Sequence, residues 1–279
     1  MTKKGDKNLI SVIIPVYKTP WPLLCKAVES ILEQDYGNLE LIIVEDPDHE
    51  VNRTSVSPFH DPRIIHILKE ERTSFAHQLN LGLAQSGGCY VARMDADDIS
   101  EPSRLRQQLR FLQSHPEISV IGTNLKIMRE SGEMIGLRYY PESPERIARE
   151  MSFRNPLAHP SVMFRKEDVM AVGGFCSEFG VVADYDLWCR MLQVGKKFYN
   201  LQEPLLRYRI HSQSSKVTSL KKTIEATLQI KGRYFRGRKD LWGPKEAARY
   251  YFEKLLLFMP SSLVFQGFLL SSVKKPSTK

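Results

Sequence analysis

Residues 90–98 of this chain read Tyr90-Val91-Ala92-Arg93-Met94-Asp95-Ala96-Asp97-Asp98, a short apolar run that ends in three aspartates. The run is typical of a buried β-strand, in which alternate side chains point to the same face. We therefore expect Asp95 and Asp97 to project together from the end of the strand. Like charges at this spacing repel each other, and a divalent cation shared with an anionic ligand relieves that repulsion. Mg²⁺ and Mn²⁺ prefer such hard oxygen ligands, usually one or two carboxylates together with substrate phosphates.

Asp98 has a simpler interpretation, as the N-cap of a helix that is predicted to start near Pro102. Aspartate is a favourable N-cap, and proline favours the first helical position. This interpretation leaves Asp95 unexplained, because Asp95 lies inside the apolar run. Short acidic triplets are common in proteins, so the significance of this one depends on the rest of the chain.

Further apolar segments predict the rest of an α/β sheet. Strands are predicted at residues 9–17, 39–44 and 63–68, and helices at 20–34 and 74–86. The resulting order over the first hundred residues, β-α-β-β-α-β, indicates a right-handed, mostly parallel sheet that is flanked by helices. The first strand is apolar almost without interruption, which is typical of a strand buried on both faces.

Functional residues are expected beyond the carboxyl ends of the strands, where sheets of this class bind their ligands. The residues at three such ends are Pro15, Val16, Tyr17, Glu45, Asp46, Asp95, Ala96 and Asp97. We expect the three ends to line one cleft. Asp46 is suited to accept a hydrogen bond from a ligand amide such as a pyrimidine N–H. Its alternative interpretation is a turn aspartate before Pro47.

The second half of the chain adds three candidate residues. The elements predicted here are a helix at 104–114, a strand at 118–122, a hairpin turn at 130–133, a helix at 144–154 and a strand at 161–164. His159 lies between two prolines and is either a ligand contact or a turn residue. Asp184 starts a predicted helix, either as its N-cap or as a carboxylate at the edge of the cleft. His211 ends a predicted strand and is able to bind a metal or a phosphate, although a lone histidine there more often does neither.

The composition is that of an ordinary globular protein. The 279 residues are 42% hydrophobic and 26% charged. The four cysteines show no metal-binding spacing, which indicates buried thiols in a reducing compartment. The N-terminus lacks the apolar core of a signal peptide, and no run reaches the ~18 apolar residues of a membrane span. These features predict a cytosolic location.

Positive charge is concentrated in the C-terminal part of the chain. Residues 207–279 contain 16 Lys and Arg against 4 Asp and Glu, whereas residues 1–206 have a net charge of −4. This asymmetry indicates an anionic partner, either a membrane surface or nucleic acid. Residues 219–239 are a basic helical stretch, and residues 244–270 are apolar with a break at Pro260. We predict two short amphipathic helices in a lipid interface, with packing on the body as ordinary core as the alternative.

The segments described above resemble, in the expected order, the inverting family 2 nucleotide-sugar glycosyltransferases, and more narrowly the bacterial exopolysaccharide and O-antigen enzymes of that family. The resemblance covers about residues 9–215 and rests on residues 11–17, 41–46, 92–98, 155–164, 184–188 and 208–211. It implies a GT-A, Rossmann-like fold at residues 1–215. The nucleotide-binding half is expected at about 9–100 and the acceptor-binding half at about 101–215. Residues 216–279 are expected to form a basic, amphipathic helical tail that associates with membranes.

The resemblance also implies roles for individual residues. The nucleotide-sugar contacts it implies are Pro15, Val16, Tyr17, Glu45, Asp46, Arg72, Asn80, Arg93, Asp95 and Ala96. Among them Asp46 contacts the uracil, and Asp95 contacts the ribose or the metal. Asp97 and His211 hold Mn²⁺ or Mg²⁺, and Asp184 is the catalytic base. The implied acceptor-side candidates are His159, Tyr185 and Trp188.

This chain departs from the family pattern at two positions. Pro47 follows the acidic pair where the family usually has glycine, and Ala183 precedes the base where the family usually has glutamate. The support that this glutamate gives to the base or to the acceptor is therefore missing. A catalytically silent, membrane-bound interaction protein stays open as an alternative for this reason.

The implied activity is metal-assisted transfer from a UDP-sugar to a hydroxyl of a saccharide acceptor on polyprenyl diphosphate, at the inner face of the cytoplasmic membrane. A nucleic-acid-binding protein would explain the basic tail but not the functional residues at three strand ends, two of them acidic, so no nucleic acid is expected. A sugar-1-phosphate nucleotidyltransferase would need a glycine-rich basic loop after the first strand. Tyr17-Lys18-Thr19-Pro20 stands there instead.

Overall fold

The computed structural model describes residues 6–47, 60–210 and 220–259. In this part of the chain, a nine-stranded sheet is flanked by helices. The strands are β1 (Asp6–Val16), β2 (Leu39–Glu45), β3 (Ile64–Leu68), β4 (Gly88–Arg93), β5 (Ile99–Ser100), β6 (Ile118–Arg129), β7 (Met134–Arg138), β8 (Met163–Arg165) and β9 (Lys197–Ile210). The helices are α1 (Trp21–Leu32), α2 (Phe75–Gln85), α3 (Arg104–Ser114), α4 (Pro144–Glu150), α5 (Lys166–Ala171), α6 (Ala183–Gln193), α7 (Leu220–Tyr234) and α8 (Pro244–Leu256). Two short 3₁₀ turns lie at His159–Ser161 and Ser177–Val182.

The sheet is mixed, and its spatial order is β3-β2-β1-β4-β8-β6-β9-β5, with β7 paired to β6. Strands β1, β2, β3 and β4 are parallel to one another. Val16 at the end of β1 stands opposite Glu45 at the end of β2. Ile13, near the end of β1, stands opposite Arg93 at the end of β4. The predicted α/β class is confirmed, and the polar ends of β1, β2 and β4 meet at one edge.

The apolar run of β1 is explained by helices on both faces of the sheet. Consecutive side chains of the strand pack on opposite faces. Ile14 lies in a core cluster with residues of α1 and α3, whereas Ile13 lies in a second cluster with residues of α2 and α6. Both side chains are buried. A strand covered on both faces needs apolar residues at consecutive positions. Strand β1 meets this requirement and lies between β2 and β4, inside the parallel part of the sheet.

Several predicted elements differ from the observed ones in length. Helix α3 has the predicted bounds, and the turn at 130–133 connects β6 to β7 as predicted. Strand β6 continues past residue 122. The buried amide of Asn124 has hydrogen-bond partners there, because its Nδ2 donates to the Gln202 carbonyl and its Oδ1 accepts from the Tyr140 N–H. Strand β9 begins at Lys197 and pairs along the whole of β6.

Other predictions for the second half are corrected on a smaller scale. Helix α4 ends at Glu150 rather than at residue 154, and Ser161 lies in a 3₁₀ turn rather than in a strand. The four cysteines are free thiols, but only Cys189 is fully buried. The proposed division into a nucleotide-binding and an acceptor-binding half stays a prediction.

The C-terminal helices differ in how much they bury. Helix α7 buries Leu228, Ile230 and Lys231, whereas α8 has no fully buried residue. Among the residues that the structure describes, no helix has both the length and the apolar character needed to cross a membrane. The first predicted amphipathic helix corresponds to α8, and the second lies outside the described residues.

Candidate active site

Asp46 connects the ends of β1 and β2 to the start of α2. Its backbone N–H donates to the Val16 carbonyl at 3.0 Å. Its carboxylate accepts two hydrogen bonds from Thr73, one from the backbone N–H and one from the hydroxyl, each at 2.8 Å. Asp46 is therefore a buried carboxylate of fixed orientation, rather than only a turn residue before Pro47. Thr73 was not among the predicted residues, because only the fold brings it next to Asp46.

Gln78, on helix α2, also holds this edge of the sheet. Its Nε2 donates to the Val16 carbonyl at 3.1 Å and to the Val44 carbonyl at 3.4 Å. The side chain is buried on α2. A buried amide that bridges the ends of two neighbouring strands holds their spacing. The sequence signal for this role is a polar residue among the buried, mostly apolar positions of α2, and the sequence analysis did not use it.

Tyr17 and Arg72 are brought together at the mouth of this edge. The Arg72 guanidinium lies 4.4 Å from the centroid of the Tyr17 ring. Arg72 is exposed, and Tyr17 is half-buried. Glu45 is buried nearby, and its Oε2 lies 3.0 Å from Nε2 of His66. The edge thus offers an aromatic ring with a cation stacked on it, which suits a ligand with both a ring and an anionic group.

Arg93 and Asp95 form an ion pair at the end of β4. The Arg93 side chain is buried, whereas about a third of Asp95 is exposed, at 32%. The Arg93 guanidinium lies 5.1 Å from the centroid of the Phe75 ring. Its Nε makes no hydrogen bond within the described residues. A buried cation with an unused donor thus lies beside the predicted carboxylate.

Asp98 joins the aspartate segment to β9 rather than capping a helix. Its Oδ1 accepts from the Arg209 backbone N–H at 2.9 Å, and the Arg209 Nε donates to the Asp97 carbonyl at 2.9 Å. Helix α3 begins at Arg104, six residues later, so the N-cap interpretation of Asp98 is wrong. Burial raises the pKa of the Asp98 carboxyl well above its usual range, and the nearby charges of Asp95 and Asp97 raise it further.

Asp184 lies in the first turn of α6 and is buried. The Asn155 Nδ2 donates to its Oδ2 at 2.7 Å, and the His159 Nδ1 is 4.0 Å from the same oxygen. The residue at the N-cap of α6 is Val182, so the N-cap interpretation of Asp184 is wrong. Two polar side chains from the loop around the two prolines instead surround one carboxylate. Asn155 was not predicted as a site residue, although the resemblance included its segment.

Phe75 links the two groups of candidate residues. Its ring is 5.9 Å from the His159 ring in an edge-on arrangement, and the Arg93 guanidinium lies over it. A continuous series of contacts therefore runs from Asp95 through Arg93, Phe75 and His159 to Asp184. The structure thus places the predicted base and the first carboxylate of the acidic segment at the two ends of one connected group of side chains.

Three further predicted site residues have partners within the fold. Tyr185 is buried and its hydroxyl donates to the Met151 carbonyl. Trp188 is buried between the Phe164 and Phe198 rings. Both therefore support α6 from the core in this structure, and their contact with an acceptor stays a prediction.

Asn80 is the third of these residues. Its Nδ2 donates to the Phe175 carbonyl at 2.8 Å, and its Oδ1 accepts from the Phe175 N–H at 2.9 Å. Asn80 thus holds the turn that precedes α6, and its contact with the nucleotide sugar stays a prediction. Pro15, Val16 and Ala96 are buried, so they offer a ligand mainly backbone atoms. His211 lies outside the described residues.

The carboxylates that follow β4 suit a cation whose remaining ligands are oxygen atoms of the substrate. No cluster of three or more His, Cys, Asp or Glu among the described residues is able to hold a metal ion by itself. Mg²⁺ usually takes one or two carboxylates and fills its remaining positions with water and substrate phosphates. Asp95 and Asp97 supply oxygen ligands of this kind, so the donor set suits a cation that arrives with a diphosphate.

The fold defines the class of this protein. The mannosyltransferase PcManGT from Pyrobaculum calidifontis, solved in complex with GDP-Man and Mn²⁺, superimposes with a TM-score of 0.62 at 18% identity. The match covers 93% of this chain and 74% of that chain. The fold is therefore that of the GT-A glycosyltransferases, as predicted.

Sequence comparison gives the family. Residues 11–172, more than half of the chain, match the family model described as glycosyl transferase family 2. The chain is 33% identical over 219 residues to the O-antigen biosynthesis glycosyltransferase WbnJ of Escherichia coli, with 76% of this chain and 84% of the relative covered. The chain belongs to glycosyl transferase family 2 and is a glycosyltransferase.

A second relative carries a more detailed description. The chain is 28% identical over 214 residues to the UDP-Gal:alpha-D-GlcNAc-diphosphoundecaprenol beta-1,3-galactosyltransferase of Escherichia coli. The match covers 76% of this chain and 78% of that protein. Because the chain is an enzyme, the alternatives of a silent interaction protein and of a nucleic-acid-binding protein are set aside.

Proposed function

We propose that this glycosyltransferase moves a sugar from a UDP-sugar to a hydroxyl of a saccharide carried on polyprenyl diphosphate, with inversion, in the synthesis of a cell-surface polysaccharide or O-antigen. The observation that carries the proposal is the series of contacts from Asp95 to Asp184. It brings a site for an anionic donor and a buried carboxylate together. The names of the two Escherichia coli relatives support the donor, the lipid carrier and the pathway class.

Asp184 is the base in this proposal. An inverting transfer is a single in-line displacement at the anomeric carbon, and a base must accept the proton of the acceptor hydroxyl. The hydrogen bond from Asn155 to Oδ2 orients the carboxylate for this step. His159 lies beside the same oxygen, at 4.0 Å. Asn155 and His159 together hold the Asp184 carboxylate in a fixed orientation. The glutamate of the family, which would otherwise help to do so, is replaced by Ala183 in this chain.

The opposite part of the site binds the leaving nucleotide. Asp95 and Asp97 would hold Mn²⁺ or Mg²⁺, which acts as a Lewis acid on the leaving diphosphate when bound. Arg93 keeps one of these carboxylates oriented and offers an unused Nε donor. Arg72, stacked on Tyr17, is an exposed cation at the same edge.

Asp46 recognises the nucleobase of the donor in this proposal. Both of its oxygens accept from Thr73, but each carboxylate oxygen has two lone pairs and is able to accept a further hydrogen bond. The uracil N–H is a suitable donor. Asp46 is buried and held in one orientation. It is therefore better suited to accept this hydrogen bond than a mobile, solvent-exposed carboxylate would be.

The experiment that tests the proposed function is UDP binding measured by calorimetry, with and without Mn²⁺. We compare the wild type with Asp97→Ala and with Asp240→Ala, which removes an exposed carboxylate from the C-terminal part. The expected result is metal-dependent binding that Asp97→Ala abolishes and Asp240→Ala preserves. A folded wild type that binds no UDP under either condition contradicts the proposal, and so does an Asp97→Ala variant with unchanged affinity.

The proposed location is the cytoplasm, at the inner face of the cytoplasmic membrane. A UDP-sugar is a water-soluble donor, whereas a saccharide on polyprenyl diphosphate stays with the lipid. An enzyme that joins them has to work at the surface between the two. The basic composition of residues 207–279 supports a position on an anionic surface.

A further inference from the structure

Helix α8 and the turn after it carry a cluster of exposed apolar side chains. These side chains are between 39% and 86% exposed and belong to Tyr251, Phe252, Leu255, Phe258 and Met259. The other large apolar side chains that are exposed in the described residues are scattered over the surface, at Leu68, Met134, Tyr139, Met170, Val181 and Val194. We call the five clustered residues the α8 face. Contiguous exposed apolar surface of this kind marks an interaction site.

The geometry of the helix directs the α8 face away from the body. At about 100° per residue, Tyr251, Phe252 and Leu255 fall within an arc of about 100°. Glu253 lies about 160° from Leu255, on the opposite side of the helix. The Lys231 Nζ donates to Oε2 of Glu253 at 2.6 Å, so the side that carries Glu253 faces α7. The apolar arc consequently faces outward.

The attachment of α8 leaves this face available. Helix α8 contacts α7 through the buried Lys231, and the Tyr250 ring makes an edge-on contact with the Trp242 ring, with centroids 5.5 Å apart. No residue of α8 is fully buried. Most helical stability in proteins comes from burial of an apolar face. A helix that leaves this face exposed therefore gains stability when a partner covers it.

The charges around the α8 face indicate what that partner is. At the same helical spacing, Lys254 borders the arc on one side and Lys245 on the other, each about 60° or less beyond its edge. Both side chains are exposed. An apolar stripe bordered by cations matches a surface with apolar chains below anionic head groups. A second copy of the chain would place cations against cations.

We propose that the α8 face binds the surface of a membrane that contains anionic lipids, with Phe252 and Leu255 at the boundary of the acyl chains and with Lys245 and Lys254 at the head groups. The inference rests on the proposed function in one respect, because it gives the enzyme access to an acceptor that is carried on a lipid. The binding surface itself is deduced from α8 alone.

Helix α7 connects this surface to the active site. The Tyr234 hydroxyl donates to Oδ1 of Asp186 at 2.8 Å, and Asp186 follows the proposed base by two residues on α6. Arg233 pairs with Glu178 at 2.7 Å and stacks on the Phe179 ring at 4.8 Å, in the 3₁₀ turn that leads into α6. Membrane binding by α8 consequently sets the orientation of the cleft relative to the lipid surface.

The test is flotation of the full chain with lipid vesicles. One preparation is phosphatidylcholine alone, and the other is phosphatidylcholine mixed with phosphatidylglycerol. The wild type is expected to bind the mixed vesicles more tightly. The variant with Phe252→Ser and Leu255→Ser should bind both preparations at least about tenfold more weakly, because it loses buried apolar area. The variant with Lys245→Gln and Lys254→Gln should lose about fivefold per cation on mixed vesicles only.

A matched control removes apolar side chains elsewhere. Met134→Ser with Met170→Ser changes two side chains that are about half exposed, at 46% and 50%, outside the α8 face. This control should bind vesicles like the wild type. The inference is overturned if the α8 variants bind as tightly as the wild type. It is also overturned if the wild type does not bind vesicles and sedimentation shows a dimer whose formation depends on Phe252 and Leu255.

Calorimetry with UDP on the same proteins separates this inference from the proposed function. Retained UDP binding together with lost vesicle binding in the Phe252→Ser and Leu255→Ser variant supports the α8 face as a separate surface. A wild type that binds UDP but neither kind of vesicle overturns only the membrane inference. A wild type that binds vesicles but not UDP overturns only the proposed function.

Discussion

The side-chain amide of Asn155 donates a hydrogen bond of 2.7 Å to Oδ2 of Asp184. The other end of the amide is also held, since its Oδ1 accepts from the Leu157 N–H at 3.2 Å. Asn155 is therefore fixed by its own loop before it contacts the carboxylate. The orientation of the proposed base thus depends on one side chain from another segment.

Asn155→Ala should lower kcat by about 10- to 100-fold while KM for the UDP-sugar stays unchanged, because a hydrogen bond to a charged group is lost on the acceptor side only. Turnover measured as UDP release with a lipid-linked acceptor tests this. Asn155→Asp supplies a second readout. A like charge beside Asp184 raises the pKa of the base, so the acid limb of the pH–rate profile should move to higher pH. An unchanged kcat in Asn155→Ala would show that Asn155 does not position the base.

Asp184→Asn should abolish most turnover and leave UDP binding intact. General base catalysis contributes about 10²- to 10⁴-fold to rates, and an amide is unable to accept the proton. UDP release and UDP calorimetry on the same preparation separate the two effects. Asp35→Asn is a suitable control, since Asp35 is on the surface and pairs with Arg106. Turnover of Asp184→Asn within tenfold of the wild type would assign the base to another group.

The parallel part of the fold was predictable because its information is local. Residues 9–17 are apolar almost without interruption, and a run of this kind is typical of burial on both faces of a sheet. Strand β4 ends where Asp95 begins the acidic segment, and polar residues at strand ends follow from the position of the edge. These signals need no knowledge of distant contacts. The pattern alone left Asp184 open between an N-cap and a carboxylate at the edge of the cleft, and the family resemblance supplied its role as the base.

Residues whose roles depend on distant contacts were missed by the sequence analysis. Thr73 and Gln78 act on strands that lie more than 25 residues away in the chain. The predicted acceptor contacts of Tyr185 and Trp188 came from the family resemblance and not from the pattern of the helix itself. Helix α6 is buried nearly all round, since α7 covers its outer side. The sequence of α6 alone does not contain that information.

Asn80→Ala separates a structural role of this residue from its predicted role in the nucleotide site. Its amide makes two hydrogen bonds to the Phe175 backbone, so the variant should lower the free energy of unfolding by about 1–3 kcal/mol. The Kd for UDP of the folded protein should be unchanged. Arg72→Ala is the matched contrast, because it removes an exposed cation and should weaken UDP binding without a loss of stability. Urea unfolding and calorimetry give both quantities. Weaker UDP binding in folded Asn80→Ala would support its predicted role in the nucleotide site.

Glu101 connects the strands β5, β6 and β9 of the sheet. It follows β5, and its Oε1 accepts from the Lys126 Nζ on β6 at 2.8 Å and from the Arg207 Nε on β9 at 2.7 Å. Burial opposes ionisation of Glu101, but the hydrogen bonds from Arg207 and Lys126 outweigh it. The pKa of Glu101 is consequently below its ordinary value of 4.5.

Glu101→Gln should destabilise the protein at pH 7 by about 1 kcal/mol and much less at about pH 3. A lowered folded-state pKa means that the carboxylate stabilises the fold above the unfolded-state pKa, and that this contribution is lost as the pH falls through the folded-state pKa. Urea unfolding of both proteins at the two pH values gives the difference. Glu133→Gln is the control, since Glu133 is 65% exposed and its pair with Arg129 is a surface pair of small expected effect. A difference between wild type and Glu101→Gln that does not shrink at low pH would mean that the ion pairs of Glu101 do not stabilise these strands.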